Sequence, residues 1–64
     1  MTEEEARAIL KTHGWGYLVR KRKRGIPYIY AVRREKQTIK DRYISPLSRL
    51  PHLTEQDIVA KLTL

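Results

Sequence analysis

Apolar positions along the chain change their spacing twice. In the first twelve residues Ala6, Ile9 and Leu10 recur at helical intervals, the stripe of a short amphipathic helix. Thr2 stands three residues before Glu5, the spacing of a capping box, and Glu3, Glu4 and Glu5 place negative charge at the positive end of the helix dipole. Gly14 suits the left-handed residue that closes a helix after Lys11, Thr12 and His13. From Trp15 to Ser45 the pattern shifts to short runs of β-branched and aromatic residues, which predicts strands at about 15–23, 27–35 and 38–44. Gly25 marks the first turn, Lys36-Gln37 forms a second turn without glycine, and Pro46 ends the third strand. Such short connections make an antiparallel meander.

Helical spacing returns near the end. Thr54 and Asp57 have the relation of N-cap and N3, Leu53 and Ile58 that of a hydrophobic staple, and Ile58, Val59 and Leu62 form the apolar stripe. Between sheet and helix, "SPLSRLPHL" predicts an ordered connector with Leu47, Leu50 and Leu53 turned to the core. Repeats, low-complexity tracts and linkers are absent. The expected fold is α+β, one small domain over residues 1–64, with a three-stranded antiparallel meander flanked by an N-terminal and a C-terminal helix (α-β-β-β-α).

Pairing the strands assigns their faces. With Arg24-Gly25 as a two-residue turn, Val19 lies opposite Tyr30, Tyr17 opposite Val32 and Lys21 opposite Tyr28, while Leu18 meets Ala31 and Arg20 meets Ile29. With Lys36-Gln37 as the second turn, Tyr43 lies beside Tyr30, Ile39 beside Arg34, Lys40 beside Arg33 and Arg42 beside Ala31. One face then carries Tyr17, Val19, Tyr28, Tyr30, Val32, Ile39 and Tyr43 and is expected to lie under the helices. The other sets Arg20, Arg22, Arg33, Lys40 and Arg42 among Leu18, Ile29, Ala31 and Ile44. A slip of one residue would exchange the faces of a strand, so the partition hangs on the turns.

Charge changes the picture from fold to partner. The net charge is +7, and residues 20–42 hold ten basic and two acidic side chains, a local +8. A field concentrated on one unit attracts polyanions. The expected site is therefore a nucleic-acid-binding face made by Arg20, Arg22, Arg33, Lys40 and Arg42, with Lys21, Lys23, Arg24 and Arg34 assisting at phosphates. A three-stranded surface fits the DNA major groove, about 12 Å wide, and arginine's planar fork suits phosphates and guanine edges. Duplex DNA is expected ahead of RNA. If the faces were reversed, the tyrosines would be exposed and single-stranded binding would gain.

The run "GYLVRKRKRGIPYIYAVRREKQTIKDRYI" resembles the small three-stranded DNA-binding domains at the amino termini of tyrosine recombinases. The shared features are a basic first hairpin, an aromatic-alternating second strand "YIYAVRR" and a third strand ending in "RYI". That resemblance covers about half the chain and implies DNA binding with Arg20, Arg22, Arg33, Lys40 and Arg42 at groove-facing positions. The chain also resembles small stand-alone basic proteins of unknown function.

Other chemistry is sparse. The chain has no cysteine, and His13 and His52 lie far apart and read as surface residues, so neither disulfide nor metal centre is expected. Glu35 and Asp41 read as ion-pair partners, and no nucleophile–base pair, paired carboxylates or phosphate loop is present, so neither an enzyme nor a cofactor site is expected. No apolar run approaches the roughly 18 residues of a membrane span, and the acidic start "MTEEEARAIL" is unlike a secretory signal. A cytoplasmic protein without membrane contact is expected, and the initial Met1 points to a complete small chain. The alternative function is a non-catalytic interaction module or accessory subunit that meets an acidic protein with its basic face, or a partner strand with its sheet edge. A monomer or a weak edge-paired dimer is expected.

Overall fold

Thr2 caps the first helix, α1 (Glu3–Thr12), in the computed structural model, which describes residues Met1–Thr63. The Thr2 hydroxyl accepts from the Glu5 backbone N–H at 3.2 Å, and the Thr2 N–H donates to the Glu5 carboxylate at 3.0 Å. The helix closes as its sequence requires. Gly14 has φ 82, its N–H donates to Lys11 O, and the Trp15 N–H reaches Leu10 O at 2.8 Å. This paired closure brings Trp15 and Leu10 together in the core.

Three strands follow, β1 (Gly16–Lys21), β2 (Pro27–Glu35) and β3 (Thr38–Pro46), in an antiparallel sheet of order β1-β2-β3. A 3-10 segment, Leu47–His52, leads to the last helix, α2 (Glu55–Leu62). Thr54 and Asp57 form a second complete capping box. The α+β fold and the α-β-β-β-α order are those expected. Helix α1 packs chiefly on β1, and α2 on β3 and α1. Ala6, Leu10, Trp15, Ile29, Ala31, Ile44, Leu50 and Ile58 form the core, with Leu47, Leu53 and Leu62 packed around it.

The first hairpin departs from the expected register by one residue. The observed pairs are Tyr17–Ala31, Leu18–Tyr30, Val19–Ile29 and Arg20–Tyr28. The cause is the turn: Lys23–Gly25 is a three-residue 3-10 connection closed by the Arg22 N–H on Ile26 O at 2.9 Å. Arg24 (φ 62) and Gly25 (φ 72) both take the left-handed conformation it needs. The second hairpin has the expected register from Tyr30–Tyr43 to Glu35–Thr38. Beyond it a bulge lets Ser45 pair with Ile29, so that Ile44 and Ser45 are both buried.

The expected faces of β2 and β3 are therefore reversed. The helices cover Ile29, Ala31 and Ile44, whereas Tyr28, Tyr30, Val32, Ile39 and Tyr43 lie on the open face. On β1 the expectation holds, with Tyr17 packed against the core and Leu18 and Arg20 turned away. Sterics and hydration favour this choice. Ala31, 0% exposed, lets elements pack closely against the sheet, while the larger amphipathic Tyr43 ring, 41% exposed, stands on the other side.

Candidate nucleic-acid interface

The five cations expected to share a face are divided between two. Arg20 and Arg22 reach over the open face: the Arg20 guanidinium lies 4.9 Å from the Tyr30 ring centroid and that of Arg22 lies 5.5 Å from Tyr28. Arg33, Lys40 and Arg42 belong to the helix side, where Arg33 pairs with Lys40 across the strands and Arg42 with Ala31. The cause is the three-residue turn, which shifts β1 against β2 and carries its arginines to the side opposite Arg33.

On the helix side two of these cations are already engaged. Arg33 is half-buried, stacks 4.6 Å from the Trp15 ring centroid and pairs with the Glu35 carboxylate. Lys40 reaches the same carboxylate at 3.1 Å. The Lys40 hydrogen bond first, then the charges of Arg33 and Lys40, hold the Glu35 carboxyl below its ordinary range. Glu35 is thus the ion-pair partner its sequence context suggests. Arg42 is exposed, and no ion pair holds it among the described residues.

The open face has a different chemistry. Direct cross-strand neighbours share a face, so Leu18, Arg20, Tyr28, Tyr30, Val32, Arg34, Ile39, Asp41 and Tyr43 stand on it together. Tyr43 is the hub: its ring centroid lies 5.9 Å from that of Tyr28, tilted by 53°, and 5.7 Å from that of Tyr30, nearly edge-on at 71°. Tyr30 is 9% exposed although no helix covers it, because Arg20 lies on its ring. Asp41 holds Arg20 there with a 2.8 Å ion pair. Tyr43 (41% exposed) and Ile39 (64%) remain open to solvent.

The basic run flanks this face at one end of the sheet. Lys21, Arg22, Lys23 and Arg24 are all exposed, and none has an ion-pair partner among the described residues. Arg34, also exposed, stands beside Ile39 toward the opposite end. An open groove of about 500 Å³ adjoins the edge strand β3, walled by Tyr43–Pro46 and by Arg49, His52 and Lys61 from the 3-10 segment and α2. Neither the groove nor the aromatic cluster belongs to the site expected from sequence. The alternation "YIYAVRR" does carry the signal for the cluster, but the fold exchanges the sides of its two sets of positions.

No protein-family model, curated protein or solved structure matches the chain.

Among the described residues no cluster of three His, Cys, Asp or Glu side chains could hold a metal ion. No helix of the described residues is long and apolar enough to cross a membrane. What the open face offers is ring faces, planar guanidinium groups and a flanking set of exposed cations. That combination can stack on flat heterocycles and neutralise phosphates together.

Proposed function

We propose that this chain is a small nucleic-acid-binding module whose contact surface is the open face of the sheet together with the basic first hairpin. The observation that carries the reading is the Tyr28–Tyr30–Tyr43 cluster with Arg20 and Arg22 on its rings, beside the exposed Lys21, Lys23 and Arg24. An aromatic surface with guanidinium groups on its rings and further cations beside it, in a chain of net charge +7, matches a partner with flat bases and a phosphate backbone. The reading keeps Arg20, Arg22, Lys21, Lys23, Arg24 and Arg34 as contacts and leaves Arg33 and Lys40 to structure. The row of five cations that favoured a groove-reading surface is not present on either face.

The test is fluorescence anisotropy with mixed-sequence DNA and RNA between about 50 and about 200 mM salt, where backbone contacts show as a steep salt dependence. Arg22→Ala with Arg24→Ala is expected to weaken binding and lower the salt slope by about 2, since each of the two side chains neutralises one phosphate. Lys40→Ala with Arg42→Ala, on the other side of the sheet, is expected to change the slope much less. Absence of binding at about 50 mM salt would refute the proposal, since charge-driven contacts are strongest there. Equal weakening by the two double substitutions would refute the assignment of the face.

A further inference from the structure

The open face selects a nucleic acid by what that nucleic acid exposes. In a duplex the base faces are stacked on one another, and only edges and phosphates are presented in the grooves. An aromatic face has little to bind there. In a single strand the faces are free, and stacking on aromatic side chains becomes the main sequence-tolerant contact. The open face suits the second case: Leu18, Tyr30, Val32 and Tyr43 line its middle, Arg20 lies across Tyr30 in an ion pair with Asp41, and Arg22 and Arg34 stand toward its two ends.

Resting on the nucleic-acid reading above, we infer that the ligand is a single strand, with unpaired bases stacked on Tyr28 and Tyr43 and the backbone leaving through the groove beside β3. The roles of the three tyrosines differ. Tyr30 is closed off by Arg20, which Asp41 holds in place, so it supports the platform from below. Tyr43 is the exposed ring. Tyr28 is covered by Arg22, which no ion pair restrains among the described residues. A base entering over Tyr28 can displace that guanidinium toward a phosphate or be sandwiched between it and the ring.

The exit route follows from Tyr43, which belongs both to the open face and to the groove wall. A strand stacked there passes the β3 edge into a groove where Arg49, His52 and Lys61 stand. The one acidic group in that wall, Asp57, is engaged in the α2 cap, accepting from the Thr54 N–H at 3.0 Å. Cations thus stand at two margins of the platform, the hairpin run at its end and the groove cations along its β3 edge. The sheet accommodates about two or three stacked bases, as other sheet platforms do.

The full chain is titrated by anisotropy with a labelled single-stranded DNA and RNA of about 12 nucleotides, within the range bound by single-strand folds, and with a blunt duplex of the same sequence. The single strand is expected to bind at least about tenfold more tightly than the duplex. Tyr43→Ala is expected to cost about 5- to 150-fold in single-strand affinity, Tyr43→Phe to restore most of it, and neither to alter the salt slope. Arg49→Ala with Lys61→Ala is expected to lower the single-strand slope by about 1.4. Tyr43 stands outside the buried core, so Tyr43→Ala is expected to keep the fold, and circular dichroism of each variant checks that.

Duplex binding as tight as single-strand binding, unaffected by Tyr43→Ala, overturns this inference and leaves the nucleic-acid reading standing. Absence of binding to every probe at about 50 mM salt overturns that reading itself, and the inference with it. If sedimentation of the chain alone shows dimers that Tyr43→Ala dissolves, a second copy covers the face and the inference fails.

Discussion

Gly14, with φ 82, shows how much a single backbone angle decides here. It reverses the chain after α1 and delivers Trp15 into the core, and a methyl group placed on it would meet nothing within 4 Å. The cost of Gly14→Ala is therefore conformational, about 1–2 kcal/mol for an L-residue held in the left-handed region. Urea denaturation is expected to show the midpoint falling with an unchanged slope. A loss well below that range would mean the helix end rearranges freely. This residue was legible from sequence because glycine closing an amphipathic stripe has one common use. Arg24 and Lys36 adopt the same kind of angle without being glycine (φ 62 and 55), and residue type carried no warning of that.

At the level of elements, helix caps and strand bounds depend on neighbours in sequence, and these were readable. Both capping boxes form as their spacing predicts. Strands β2 and β3 occupy 27–35 and 38–46, close to their expected bounds, while β1 is shorter than expected at Gly16–Lys21. Pairing between β1 and β2 depends on whether the turn holds two residues or three. Gly25 is compatible with either, and the three-residue turn places it after Arg24 in the left-handed conformation. The register makes adjacent positions respond in opposite ways. Ala31→Leu, on the covered face at 0% exposure, is expected to overpack the core and destabilise by about 1–3 kcal/mol or more. Val32→Leu, on the open face, is expected to stay within about 0.5 kcal/mol. Thermal melts of the two variants check this, and a reversed ranking would return the sheet to the opposite register.

For the molecule as a whole, size and charge set the margins. A domain this small buries only about 60% of its unfolded surface, so modest electrostatic changes are visible in its stability. The backbone N–H of Thr2, then its hydroxyl, lower the Glu5 pKa, and Lys40 followed by Arg33 lower that of Glu35. Both carboxyls bind protons less tightly when folded than when unfolded. Their stabilisation is complete above the ordinary value of 4.5 and is lost as pH falls below it, through the lowered folded pKa values. Urea midpoints measured downward from neutral pH are expected to hold until about pH 4.5 and then decline, with a smaller decline in Glu5→Gln plus Glu35→Gln. Equal acid sensitivity in the variant would locate the effect elsewhere. The same ion pairs withdraw Arg33 and Lys40 from the pool available to a polyanion.

The sequence by itself determined the α+β architecture, the order of elements, both caps and the location of the basic run, because each depends on residues within a few positions of one another. It also contained the tyrosines and arginines of the candidate site. Only the tertiary structure decided which of them stand together. Side chains on a strand alternate, so one extra residue in the Lys23–Gly25 turn moves Arg20 and Arg22 from the side of Arg33 and Lys40 to the side of Tyr28, Tyr30 and Tyr43. The helices then fix the outcome by packing on Ile29 and Ala31, which leaves an aromatic face, with Arg20 and Arg22 laid over it, open to solvent.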